Sequence, residues 1–113
     1  WGAMVPVAED AAEEIDADVE IIDPRTIYPM DFDTIYESVE KTGRAMVLHE
    51  APKSVGFGAE IASRIQENEI LKMEAPVERV TAPDIPYPLY TLEDFYMPNK
   101  ERAVEGLERV LNF

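Results

Sequence analysis

The sequence predicts an α/β fold, an open and mostly parallel sheet with helices on both faces. Three observations carry this. Apolar residues recur at helical spacing in separate stretches of the chain. Short apolar runs rich in β-branched residues lie between those stretches and are too brief for helices. Gly, Asp and Pro mark the junctions, so helix and strand alternate in the order that gives parallel crossovers.

Met4, Val7, Ala8, Ala11, Ala12 and Ile15 share one face, and Glu9, Asp10, Glu13 and Glu14 the other, which predicts a first helix over 4–15. Pro6 fits only in its first turn. Val19, Ile21 and Ile22 predict a strand that closes at Asp23-Pro24. Asp31 is a candidate N-cap for a helix with Phe32, Ile35, Tyr36 and Val39 on one face and Gly43 at its end. Ala45 to Leu48 is continuously apolar, as in a strand covered on both faces. The loop Ser54-Val55-Gly56-Phe57-Gly58 leads into a third helix running to about Asn68 by its Ala59, Ile61, Ala62 and Ile65 stripe. A strand follows over 77–81.

Pro83, Pro86, Pro88 and Pro98 enclose Tyr87, Leu89, Tyr90, Leu92, Phe95, Tyr96 and Met97. That mixture is too apolar for a flexible linker and too rich in Pro for a regular element, so it predicts an ordered segment pressed on its own domain or on a partner. Its Tyr residues and Met97 have the chemistry of interface anchors. The last helix carries Val104, Leu107, Val110 and Leu111 on one face, with Asn99 as its cap.

With 113 residues, 1–113 form one expected domain. The start at Trp1, directly before a helix, suggests a piece of a longer polypeptide, whereas Phe113 reads as its end or nearly so. No apolar run reaches the roughly 18 residues of a membrane span, and nothing resembles a signal peptide. A cytoplasmic location is the expectation. There is no Cys and one His, so neither disulfides nor a thiolate or His-rich metal site can form. Twenty-four acidic against ten basic residues give −14, which repels nucleic acid and anionic membranes. The acids are spread along the chain and Lys is scarce, which fits a solvated acidic shell suited to salt; attraction to a basic partner is the competing reading.

The individual motifs have two readings each. Gly56-Phe57-Gly58 before a helix could cradle a phosphate, but it lacks the third Gly of a dinucleotide fingerprint and the Lys of a P-loop. A tight turn and close helix approach explain it better. His49 stands at the C-terminal end of a strand, where α/β sheets keep ligand sites. No nucleophile or second base accompanies it, and Glu50 should point to the opposite face, so a structural or interfacial His is favoured. Glu74 and Glu78, with Glu69 nearby, could form a patch for a partner's Arg or Lys.

Read in order, the stretch from Val19 to Asp31 resembles a transketolase-type C-terminal domain. So do Lys41-Thr42-Gly43-Arg44, His49-Glu50-Ala51-Pro52, Gly56-Phe57-Gly58-Ala59-Glu60-Ile61, Glu74-Ala75-Pro76-Val77, Arg79-Val80-Thr81-Ala82-Pro83-Asp84 and Met97-Pro98-Asn99. The resemblance spans essentially the whole chain and is nearest to β subunits of thiamine-diphosphate-dependent 2-oxo acid dehydrogenases, of pyruvate or branched-chain type. His49-Glu50-Ala51-Pro52 leans slightly to the branched-chain side.

The resemblance implies a three-layer α/β/α domain with a mixed sheet, preceded by a pyrimidine-binding domain that this chain lacks. It also implies a strand just upstream of Trp1 lying between 19–22 and 45–48, whose loss would leave unpaired backbone at about 1–3 kcal/mol per buried group. Thiamine diphosphate and Mg²⁺ belong to the full α₂β₂ enzyme, and no cofactor-binding, metal-binding or catalytic residue is expected in this chain. The implied partners are a second β subunit, the α subunit and the basic subunit-binding domain of a dihydrolipoyl acyltransferase, with Glu74, Glu78 and the Phe113 carboxylate at the docking positions. An alternative is a transketolase-like or deoxyxylulose-phosphate-synthase-like domain using the 54–58 loop or His49 at a sugar-phosphate site. A stand-alone flavodoxin-like binding domain is a more distant one.

Overall fold

The computed structural model describes residues 1–86 and 89–113. Helix α1 runs Met4–Glu13, α2 Phe32–Thr42, strand β1 Met46–Pro52, α3 Phe57–Glu69, strand β2 Glu78–Ala82, the short α4 Glu93–Tyr96 and α5 Lys100–Leu111. The local chemistry of the ends follows the sequence. Asp31 accepts a hydrogen bond from the Thr34 backbone N–H at 3.1 Å, and Asn99 one from Arg102 N–H at 2.9 Å, so both residues cap the helices they precede. The Thr34 hydroxyl and N–H also hold the Asp31 carboxyl below its usual range. Gly43 adopts φ 70°, a left-handed conformation that lets α2 stop and the chain turn into β1.

The two strands are parallel, with Met46 opposite Glu78, Val47 opposite Arg79 and Leu48 opposite Val80 before the register shifts near Pro52. Adjacent side chains on β1 alternate faces, and this alternation builds two cores. Val47 joins Ile35, Val39, Ile61 and Ile65 beneath α2 and α3. Leu48 joins Val80, Met4, Ala11 and Ala103 beneath α1 and α5. The layers are therefore α1 and α5, the sheet, then α2 and α3, which is the expected α/β/α sandwich. Among the described residues no helix is long and apolar enough to cross a membrane.

The structure departs from expectation at 19–22. That segment forms no strand, and among the described residues the sheet is the parallel pair alone. Between it and β1 lies a slot of about 350 Å³, lined by Val19 and Ile21 on one side, Met46 and Val47 on the other, with Trp1 also on its wall. With nothing to pair against, 19–22 cannot complete a ladder whatever its β propensity. β1 also continues to Pro52, past the apolar run, because β2 supplies partners for the extra residues.

Where described, the Pro-rich segment holds a 3₁₀ turn at Tyr90–Leu92 and the short α4, which corrects the expectation that it is too rich in Pro for a regular element: the prolines fall outside both. Tyr96 is buried and Met97 packs on the α1/α5 core, so the far end of the segment belongs to its own domain. Leu89, Tyr90, Leu92 and Phe95 face outward. Tyr87 and Pro88 lie outside the described residues.

Candidate docking surface

The Lys41-Thr42-Gly43-Arg44 turn organises the region around Glu74. Gly43 O accepts from Glu74 N–H at 2.8 Å, and a Cβ on Gly43 would stand 3.0 Å from Glu74 Cγ, so only Gly lets Glu74 lie against the turn in comfort. The Glu74 carboxylate accepts from Arg44 Nη1 at 2.9 Å and remains largely exposed. Four residues on, Glu78 opens β2, its N–H donating to Ala45 O at 3.1 Å. One Glu78 carboxylate oxygen takes both Nε and Nη2 of Arg109, at 3.1 and 2.7 Å. That bond is the main reason the Arg109 guanidinium holds its proton more tightly than usual.

Glu78 and Phe113 border the same depression. Ala75, Pro76 and Val110 supply its apolar lining, and Glu105 and Glu108 project from α5 beside Arg109. The Phe113 ring is mostly exposed, so a large apolar group stands beside carboxylates. Of the sequence-derived docking residues, the structure thus brings Glu78 and Phe113 together, while Glu74 sits just outside the depression next to Ala75. Sequence reasoning missed Glu105, Glu108 and the two arginines that hold Glu74 and Glu78. The i, i+3 spacing of Glu105 and Glu108 was a signal, since it puts both on one outer stripe of α5.

His49 forms no comparable surface. It is 1% exposed, stacked under Trp1 with ring centroids 5.3 Å apart and planes 8° from parallel. Its Nδ1 accepts from Ala51 N–H at 3.1 Å, so the ring proton of the neutral imidazole belongs on Nε2, which is buried without a partner among the described residues. Burial, with Arg79 adding to it, lowers its pKa from the ordinary 6.5. The ring lies against α3 so closely that a Cβ on Gly58 would fall 2.1 Å from Nε2. Close approach is therefore the role of Gly58. The left-handed residue of that loop is Val55, at φ 63°, and not a glycine, which corrects the expectation of a glycine-made turn.

The residues present do not fit a diphosphate with its Mg²⁺. Among the described residues no group of three His, Asp or Glu side chains is placed to hold a metal ion. The first turn of α3, the one Gly-rich helix start, is covered by the His49 ring.

The family model of the transketolase C-terminal domain matches residues 1–103. Among curated relatives, the pyruvate dehydrogenase E1 component subunit beta of Staphylococcus epidermidis is 46% identical over 116 residues. The protein of the same name from Staphylococcus aureus is also 46% identical over 116 residues. Each comparison covers 100% of this chain and 36% of the relative, so the chain spans about a third of their length.

Proposed function

Because the chain belongs to the transketolase C-terminal domain family, we propose that it serves as the assembly and docking domain of a 2-oxo acid dehydrogenase β subunit. The similarity to pyruvate dehydrogenase β subunits favours pyruvate over branched-chain 2-oxo acids. The whole enzyme, a soluble cytoplasmic complex in this reading, decarboxylates the oxo acid and passes the acyl group to a lipoyl arm. Thiamine diphosphate and Mg²⁺ are held elsewhere in the assembly, and this domain alone is inactive.

The observation that carries the docking reading is the convergence of Glu78, Glu105, Glu108 and Phe113 around the Ala75-Pro76 floor. Carboxylates beside an apolar ring, with Glu78 held by Arg109, match a basic partner, and the basic subunit-binding domain of the acyltransferase has that chemistry. Contact with the α subunit and the second β subunit is supported by Leu89, Tyr90, Leu92 and Phe95, which the buried Tyr96 presents to solvent. The slot beside β1 supports the reading that an upstream strand of the full subunit completes the sheet.

Calorimetric titration of an α₂β₂ assembly with a basic subunit-binding domain tests this. Removing Phe113 or changing Glu78→Ala should each weaken binding about tenfold, the loss of roughly 1.4 kcal/mol from one charge-assisted contact. Tight binding indifferent to both changes moves the site elsewhere. Phosphate binding through the 54–58 loop, with no binding of the basic domain, would favour the sugar-phosphate alternative.

A further inference from the structure

Resting on the docking reading above, we infer that Arg44 is the positioning residue of the docking surface, holding its two halves in register without touching the partner. The halves are distant in sequence: the 74–78 segment entering β2, and the last turn of α5 with Phe113. Arg44 stands between α2 and β1, outside the depression, and reaches both. Its Nε donates to Val110 O at 3.0 Å and its Nη1 to Glu74 Oε2 at 2.9 Å.

Each contact settles something the halves cannot settle alone. Val110 O is among the last four carbonyls of α5, which have no partner inside the helix. Arg44 satisfies it and so fixes where the helix end, and Phe113 beyond it, comes to rest. The same planar fork aims the Glu74 carboxylate, and Gly43 O anchors the Glu74 backbone. Arg109 and Glu78 also join the halves, but from inside the depression, where a partner cation competes for Glu78. Arg44 acts from behind and keeps its contacts when the partner arrives.

Electrostatics and positioning predict opposite signs for the loss of this side chain. Removing a cation beside an acidic surface should strengthen attraction of a basic partner. If Arg44 positions the surface, its loss weakens binding despite the added negative charge.

The test is calorimetric titration of the α₂β₂ assembly, carrying full-length β subunits, with a basic subunit-binding domain. Arg44→Gln should weaken binding about tenfold. Combining it with Glu74→Ala should cost less than the product of the single losses, because the two residues act as one unit. Arg44→Lys, which keeps the charge but loses the fork, should also weaken binding, and it serves if the Gln variant fails to assemble. Unchanged or tighter binding by both variants overturns the role of Arg44 while leaving the docking reading intact. No binding by the wild type overturns that reading and this inference with it.

Discussion

Burying an imidazole under Trp1 makes its protonation costly, because burial desolvates the cation and the added proton must enter on Nδ1, which already accepts from Ala51 N–H. The folded-state pKa is lowered from 6.5, so the unfolded chain binds the proton more readily. His49 therefore contributes stability that is complete above 6.5 and lost as pH falls toward the folded value. Urea midpoints measured from about pH 8 down to about pH 5 should fall in the wild type and flatten in His49→Gln. Equal slopes would show that His49 does not govern this range. Strand alternation in the sequence separates His49 from Glu50, and the structure agrees, with the His buried and the Glu only partly so. The Trp1 stack was not legible, because it joins residues 48 positions apart that share no local pattern.

Helix α5 shows how closely an element can sit on the sheet. A Cβ on Gly106 would lie 2.5 Å from Val80 Cγ2 and 2.8 Å from Met46 Sδ. Gly106→Ala gains about 1 kcal/mol of helix propensity but overpacks the α5–β2 contact at a cost of about 1–3 kcal/mol. The expected result is a net loss of up to about 2 kcal/mol in urea unfolding, and a gain would mean that the layers separate freely. Periodicity and caps revealed α2 and α5 because their signals are local: Asp31, Gly43 and Asn99 act within one turn. The segment 19–22 carried an equally good strand pattern, yet strand formation needs a neighbour, and the slot beside β1 leaves it without one. Strand β1 outlasts its apolar run, which ends at Leu48, because Pro52 pairs with Ala82. Of the docking surface, Glu74 and Glu78 were legible as an acidic patch, whereas Phe113 came only from resemblance to a family. Glu105 and Glu108 carry no signal beyond their i, i+3 spacing on the outer stripe of α5.

At the scale of the whole molecule, a charge of −14 is relieved by few cations, and the described ion pairs are mostly exposed and individually weak. Mutual repulsion of the remaining carboxylates should therefore be felt throughout the domain. Raising KCl from about 0.01 M to about 1 M is expected to raise the melting temperature by about 4–8 °C, as ~1 kcal/mol of relieved repulsion does in a domain of this size. A flat or falling melting temperature would remove the support for a salt-adapted acidic shell. The layer built from α1 and α5 has one more consequence, this time for synthesis. Helices α1 and α5 share a face and are tied by Lys100 to Glu14 at 2.6 Å, so that layer cannot close until α5 has left the ribosome. The α2/α3 half has its strand and core partners nearer in sequence, so a nascent chain holds one sealed face and one open apolar face. A chaperone meeting this chain during translation would find its target on the α1 side.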